Sequence, residues 1–236
     1  MGKTIVQQAR GRGGPAYRVR RRAFRFRITY PPVNIDGKAV IKKLINSPAH
    51  TSPLAEIKIN EHSFIVPAAE GIFEGGEIYI GNRPDAKKFE TGDIMRLKDI
   101  PQGTRICNIE KVPGKGGVFL RTAGTFGTVT TKDPGVVEIL IKRRQIRLPE
   151  DARAIIGVPA GDGRKLKPLV KAGKKHHMMK AIGRKWHYTS DIKVNAVDHP
   201  FGGGRGKRIK SKIAKRNAPA GAKVGHLRPK RTGRKK

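Results

Sequence analysis

The chain has 236 residues, with 52 Lys and Arg against 18 Asp and Glu, and it contains one cysteine, Cys107. A single cysteine excludes an internal disulfide and a cysteine-based zinc site, and it suits a reducing compartment. No apolar run reaches the ~20 residues that a membrane span needs, and no apolar segment follows the N-terminal charges as in a signal peptide.

The charge is distributed unevenly along the chain. Residues 36–160 hold 19 basic and 15 acidic side chains, whereas residues 1–35 hold nine basic and no acidic ones, and residues 161–236 hold 24 basic and three acidic ones. Like charges at that density repel one another, so both terminal arms need a partner that supplies negative charge. Phosphate backbones are the densest common source, which makes nucleic acid the leading partner.

The N-terminal arm, residues 1–35, divides into two parts. Three glycines among arginines make a packed element unexpected in the first fourteen residues. From residue 17 to residue 28 apolar and basic residues alternate, which predicts a strand with one cationic face. We expect this arm to contact phosphates through Arg18, Arg20, Arg21, Arg22, Arg25 and Arg27.

Between the arms, short apolar segments bounded by Gly, Pro or Asp predict a mainly β structure. The predicted strands span residues 55–60, 63–67, 77–80, 104–110, 118–122, 125–131, 136–141 and 145–149. Strands at this spacing favour two small barrels, one over residues 36–82 and one over residues 83–160 that includes a polar linker.

Two basic clusters lie within the second predicted barrel. Residues 111–125, KVPGKGGVFLRTAGT, form either an ordinary hairpin with a solvated lysine or, as we prefer, a loop pressed onto phosphates. Residues 141–147, IKRRQIR, are equally compatible with an interface cluster and with a solvated strand edge. The cations expected to face RNA from the barrels are Lys115, Arg121, Arg143 and Arg144.

The C-terminal extension, residues 161–236, loses hydrophobic periodicity. One or two helical turns are expected around residues 171–182, and the remainder cannot bury enough surface to order without a partner. Three histidines at 176, 177 and 187 invite a metal site, but the surrounding lysines repel a dication and no acidic residue lies between Asp162 and Asp191. Trp186 and Tyr188 would either stack on a base or pack against the chain itself.

The segment NAVDHPFGGGRGK, residues 195–207, has three possible interpretations. A phosphate-binding loop of the Walker type requires a different spacing and a following Ser or Thr. A catalytic pair of Asp198 and His199 lacks a nucleophile that the sequence would place beside it. We therefore favour an RNA contact loop in which the glycines let the backbone approach another surface closely.

Taken together, VPGKGG and RTAGT within residues 112–125, DIPQGT at residues 99–104 and NAVDHPFGGGRGK resemble the universal ribosomal protein L-two family of the large subunit. The resemblance runs from about residue 10 to the basic tail. His-Pro-Phe at residues 199–201, where bacterial members usually have His-Pro-His, is similar to the archaeal or cytoplasmic eukaryotic branch, and we favour the archaeal one.

The resemblance implies an OB-like barrel followed by an SH3-like barrel, with extended basic arms at both ends. It also implies a cytoplasmic, ribosomal protein that binds large-subunit rRNA and neighbouring ribosomal proteins, and that reaches small-subunit rRNA or protein at a subunit bridge. The C-terminal loop of the family approaches the peptidyl transferase region, where rRNA performs the chemistry. Accordingly, we expect no enzymatic activity, cofactor, metal or membrane partner, and one copy in each particle.

In the C-terminal extension the expected RNA contacts are His199, Arg205, Lys207, Arg208, Lys210 and Lys212. Two other functions remain open at this point. A DNA-packaging or RNA-chaperone protein would also be basic and β-rich, and an RNA-modifying enzyme would use Asp198 or His199.

Overall fold

A computed structural model describes residues 3–19, 23–81, 89–204, 213–214 and 216–227. The chain forms two compact units. Arg21–Leu169 make up one, here called the sheet unit, and residues 1–20 with residues 170–236 make up the other, here called the terminal unit.

The described secondary structure is mainly β. The helices are α1 (Val6–Gly11) and α2 (Ala172–Ala181), with 3₁₀ turns at Asp162–Lys165 and Asp191–Lys193. The strands are β1 (Gly37–Ile45), β2 (Leu54–Ile59), β3 (His62–Pro67), β4 (Glu77–Ile80), β5 (Ile94–Arg96), β6 (Arg105–Cys107), β7 (Ile109–Glu110), β8 (Gly117–Phe119), β9 (Gly127–Asp133), β10 (Val136–Ile141), β11 (Arg144–Pro149), β12 (Arg153–Ile156), β13 (Ile213–Ala214) and β14 (His226–Leu227).

Ten of the described strands form one sheet in the order β11-β10-β9-β6-β12-β5-β4-β1-β2-β3. Its neighbours pair antiparallel except β4 and β5, which meet in parallel at Ile80 and Ile94. Tight turns set the register of its hairpins. Asn60, with φ of 50°, lies between β2 and β3, and Lys142, with φ of 57°, lies between β10 and β11. Positive φ at such positions matches the right-handed twist of the paired strands.

The sheet unit buries two apolar clusters. The first joins residues of β1 to β4, such as Ile41 and Ile57, to Ile94, Cys107 and Ile155. The second is built from the later strands and the turn before β6 and includes Leu97, Ile100, Ile106, Val129 and Ile139. The prediction of a mainly β fold is confirmed, while the OB-like and SH3-like assignments and their domain boundaries stay predictions.

Most predicted strands match observed ones within a few residues, but several observed strands were not predicted, among them β1, β12 and the two-residue strands β13 and β14. In β1 the register shifts between Ile41 and Lys43, and this irregularity breaks the alternation of apolar and polar residues. All four residues of β12 are buried, so its sequence has no alternation to detect. The predicted strand at residues 104–110 is divided into β6 and β7 by Asn108, which has φ of 47°.

Two expectations for the N-terminal arm were wrong. The described part of residues 17–28 contains no strand. The first fourteen residues do contain a packed element, because Ile5 is buried and its N–H donates to Gln8 Oε1 at 3.1 Å at the start of α1. The helix predicted around residues 171–182 is confirmed as α2. Within the described parts of the chain, no helix combines the length and the apolar character required to cross a membrane.

The buried thiol of Cys107 provides a test of the first cluster. Burial raises the pKa of Cys107 to about 12, and only the thiolate reacts readily with disulfide reagents. We expect no labelling of the native protein by Ellman's reagent at pH 7.5 and one thiol per chain in guanidinium chloride. Rapid stoichiometric labelling without denaturant would contradict the observed core.

Candidate nucleic-acid interface

The segment before β1 is tied to other parts of the sheet unit by backbone hydrogen bonds and presents aromatic and basic side chains. It is held at its start, where Ala23 O accepts from the N–H of Ala49 at 3.2 Å, and further along by the N–H of Thr29, which donates to Ile65 O at 3.0 Å. Between these points Phe24 is 57% exposed. Arg25 and Arg27 are also exposed in this segment.

The segment before β1 forms one wall of a groove, and the loop that joins β7 to β8 forms the second wall. Lys115 is exposed at its tip, where its N–H donates to Val112 O at 3.2 Å. Gly117, at the start of β8, cannot be replaced without movement, because a Cβ there would lie 2.1 Å from Asn108 Oδ1. The motif at residues 112–125 is therefore a close-fitting turn that presents a lysine.

His50 lies between these two walls. Its ring meets that of Phe24 edge to face, with centroids 5.4 Å apart, and its Nδ1 lies 2.7 Å from Ser47 Oγ. Burial lowers the pKa of His50, and the positive charge of Arg121 lowers it further. The neutral imidazole therefore extends the aromatic surface that Phe24 begins.

Together these segments enclose an open groove of about 750 Å³, here called the aromatic–basic groove. Every charged side chain among its described lining residues is basic, and these are Arg27, Lys115 and Arg121. The structure thus brings together three predicted RNA-binding residues from two distant parts of the sequence. Phe24 and His50 were not predicted as members of this surface, because no local motif marks either of them.

A second groove, of about 600 Å³, surrounds the turn between β10 and β11. Arg143 and Arg144 line it together with Lys142 and the apolar side chains of Ile141 and Ile146. Thr122 lines both grooves, so the basic surface of the sheet unit extends from one to the other. Of the two interpretations of residues 141–147, this continuity favours an interface.

The terminal unit has a basic pocket of its own, of about 510 Å³. The residues that line it include three basic and two aromatic side chains, Arg10, Arg184, Lys185, Tyr17 and Tyr188. Arg18 is exposed in the same unit.

The loop at residues 195–204 is folded around His199, which is only 8% exposed. The Nδ1 of this histidine accepts from the N–H of Phe201 at 3.1 Å, while its Nε2 faces the carboxylate of Asp191 at 3.7 Å. A Cβ at Gly202 would lie 2.4 Å from Asn195 O. The close approach expected of the glycines is therefore made to the loop's own backbone.

Several predicted contacts lie outside the described residues. They are Arg20, Arg21, Arg22, Arg205, Lys207, Arg208, Lys210 and Lys212.

Comparison with known proteins gives this surface a context. A family model described as "Ribosomal Proteins L2, C-terminal domain" matches residues 90–221. The large ribosomal subunit protein uL2 of Archaeoglobus fulgidus is 41% identical over 239 residues, which cover 99% of each chain. The chain belongs to the ribosomal protein L2 family.

Two further relatives place it more narrowly within the ribosomal protein L2 family. Proteins named large ribosomal subunit protein uL2 from Natronomonas pharaonis and Sulfurisphaera tokodaii are each 39% identical to it. The alignments cover 99% and 100% of this chain and 97% and 99% of theirs, respectively. All three relatives are archaeal, which confirms the branch predicted from the motif at residues 199–201.

The close approach at Gly202 predicts that this position tolerates no side chain. Gly202→Ala places a methyl group against two carbonyl oxygens, those of Asn195 and Val194, and overpacking of this kind typically costs about 1–3 kcal/mol. We expect trypsin to cleave the Gly202→Ala variant after Lys193 faster than it cleaves the unchanged protein. Mass spectrometry of the digest over time measures the rate. Gly173→Ala in α2 is the matched control, since a Cβ there meets nothing within 4 Å. Equal cleavage rates in the two variants would refute the close packing described for this loop.

The lowered pKa of His50 predicts a pH dependence of stability. The folded state binds fewer protons than the unfolded state between the folded pKa and the unfolded value of about 6.5. The unfolding free energy should therefore fall as the pH drops from above 6.5 through the folded pKa. His50→Asn should reduce the difference between urea midpoints at pH 7.5 and pH 5.5. His62→Asn, at an exposed position, is the control, and an unchanged difference in the His50 variant would count against the prediction.

Proposed function

We propose that this protein is a structural constituent of the large subunit of the cytoplasmic ribosome and that it binds rRNA through the aromatic–basic groove. Membership of the ribosomal protein L2 family supports the setting, as do relatives named for the large ribosomal subunit. The observation that carries the binding site is the union of aromatic rings, of which Phe24 is exposed, with charged side chains that are all basic among the described lining residues of one groove.

The groove combines two kinds of contact that suit folded RNA. Arg27, Lys115 and Arg121 can neutralise phosphates, which positions the backbone without reading sequence. Phe24 and His50 offer aromatic rings on which an unpaired base can stack. Double-stranded DNA, whose bases are already stacked, would use only the first kind of contact.

The second groove and the terminal unit extend this role. In the second groove, Arg143 and Arg144 would contact further phosphates. Elsewhere, rRNA packed around the terminal segments of the protein would be bound by Arg18, Arg25 and the C-terminal cations. Neighbouring ribosomal proteins, and small-subunit rRNA or protein at a subunit bridge, are proposed as further partners, with one copy in each particle. The loop around His199 would support the architecture near the peptidyl transferase region, and no catalytic step is assigned to the protein.

Removal of the groove's cations should weaken rRNA binding in a salt-dependent manner. With Lys115→Ala and Arg121→Ala combined, we expect the slope of log K against log salt to fall by roughly 0.7 to 0.9 for each phosphate that the protein no longer neutralises. The measurement is a fluorescence titration of a large-subunit rRNA fragment at several salt concentrations.

Lys38→Gln is the control, because Lys38 is already paired with Glu77 at 2.7 Å and does not line the groove. An unchanged slope in the double variant would exclude the groove as the binding site. Competition with duplex DNA completes the test, since equal affinity for rRNA and duplex would favour a DNA-packaging protein instead.

A further inference from the structure

The two walls of the aromatic–basic groove are distant in sequence, and a buried ion pair lies behind them. Glu110, at the end of β7, is 0% exposed, and Arg153, at the start of β12, is 6% exposed. The guanidinium donates from Nη2 to Glu110 Oε1 at 3.0 Å and from Nε to Oε2 at 3.3 Å. This two-bond geometry is the strongest and most directional form of an ion pair.

The carboxylate of Glu110 also organises the loop that carries Lys115. It accepts from the N–H of Gly114 at 3.3 Å and from the N–H of Gly116 at 3.0 Å. Both glycines have positive φ, of 77° and 82°, a conformation that costs glycine little. The loop therefore turns around a buried anion and directs a lysine outward from its tip.

Arg153 connects the same carboxylate to the other wall. Its Nη1 donates to Pro31 O at 2.8 Å, and its guanidinium carbon lies 5.1 Å from the centre of the Tyr30 ring. The hydroxyl of Tyr30 in turn donates to Asn108 O at 2.6 Å, immediately before β7. The segment that carries Phe24 and Arg27 is thus fixed to the segment that carries Lys115.

We propose that Glu110 and Arg153 are positioning residues for RNA binding, which set the spacing between the two walls of the groove. The inference rests on the proposed function of that groove. Stability alone does not require such a pair, because well-packed apolar residues often replace a buried ion pair without loss. What apolar residues would not replace are the hydrogen bonds to Gly114, Gly116 and Pro31, which determine where the walls lie.

A double-mutant cycle separates positioning from general stabilisation. The variants are Glu110→Gln, Lys115→Ala and both together, each verified as folded by circular dichroism and titrated with the same rRNA fragment at 0.15 M salt. Lys115→Ala should lower affinity about fivefold, the effect expected when one phosphate is no longer neutralised. Glu110→Gln should cause a comparable loss of affinity alone and a clearly smaller one once Lys115 has been removed, because the carboxylate holds the loop that carries that lysine.

The control background is Lys142→Ala, in the second groove, where the loss of affinity caused by Glu110→Gln should persist in full. If Glu110→Gln leaves affinity unchanged, or if its effect is equally large with and without Lys115, the positioning role is overturned. If Lys115→Ala and Arg121→Ala themselves have no effect, the proposed RNA site fails instead, so the two failures are distinguishable.

A second variant keeps the test decisive if Glu110→Gln does not fold. Arg153→Lys retains the positive charge but cannot form both bonds to the carboxylate and the bond to Pro31 together. In the same cycle its effect on affinity should be smaller in the Lys115→Ala background, because only the wall that carries Phe24 and Arg27 then remains to be displaced. Additive effects would overturn the proposal.

Discussion

One fully buried carboxylate, that of Glu110, joins the loop between β7 and β8 to the start of β12. Removing Glu110 from water is unfavourable unless its acceptor sites are filled, and the structure fills them with the guanidinium and N–H of Arg153 and two loop amides. Breaking such a pair by deleting one partner typically costs about 3–5 kcal/mol, because the other charge is left uncompensated. The same bonds that satisfy the anion also hold the loop that carries Lys115 and, through Arg153, the backbone at Pro31.

Residues 36–160 hold nearly equal numbers of basic and acidic side chains, but the acidic ones are not distributed evenly over the surface. Several carboxylates form ion pairs with basic side chains outside the aromatic–basic groove, as in Glu77 with Lys38 at 2.7 Å and Asp151 with Lys98 at 2.8 Å. Exposed pairs of this kind contribute little to stability. Their consequence is electrostatic, because each pair neutralises a cation that lies outside the aromatic–basic groove.

Local patterns in the sequence predicted the strand content and the loop that carries Lys115, because short strands and glycine turns depend mainly on neighbouring residues. They failed where tertiary contacts decide the conformation. The alternating segment at residues 17–28 contains turns and bends but no strand in its described part. Helix α1 forms where the side chain of Ile5 is buried. The groove itself could not be predicted from local patterns, since Arg27 and Lys115 are brought together by contacts between distant segments, such as those of Arg153 with Pro31 and Glu110.

In the loop around His199, the ring that the sequence offers as a catalytic candidate is held by contacts with Phe201 and Asp191. Both ring nitrogens are directed within the terminal unit, Nδ1 toward the N–H of Phe201 and Nε2 toward Asp191, whose other oxygen accepts from the hydroxyl of Tyr188. An acceptor nitrogen that already holds a backbone N–H is poorly placed to remove a proton from a substrate. The histidine instead helps to set the path of the chain into Gly202.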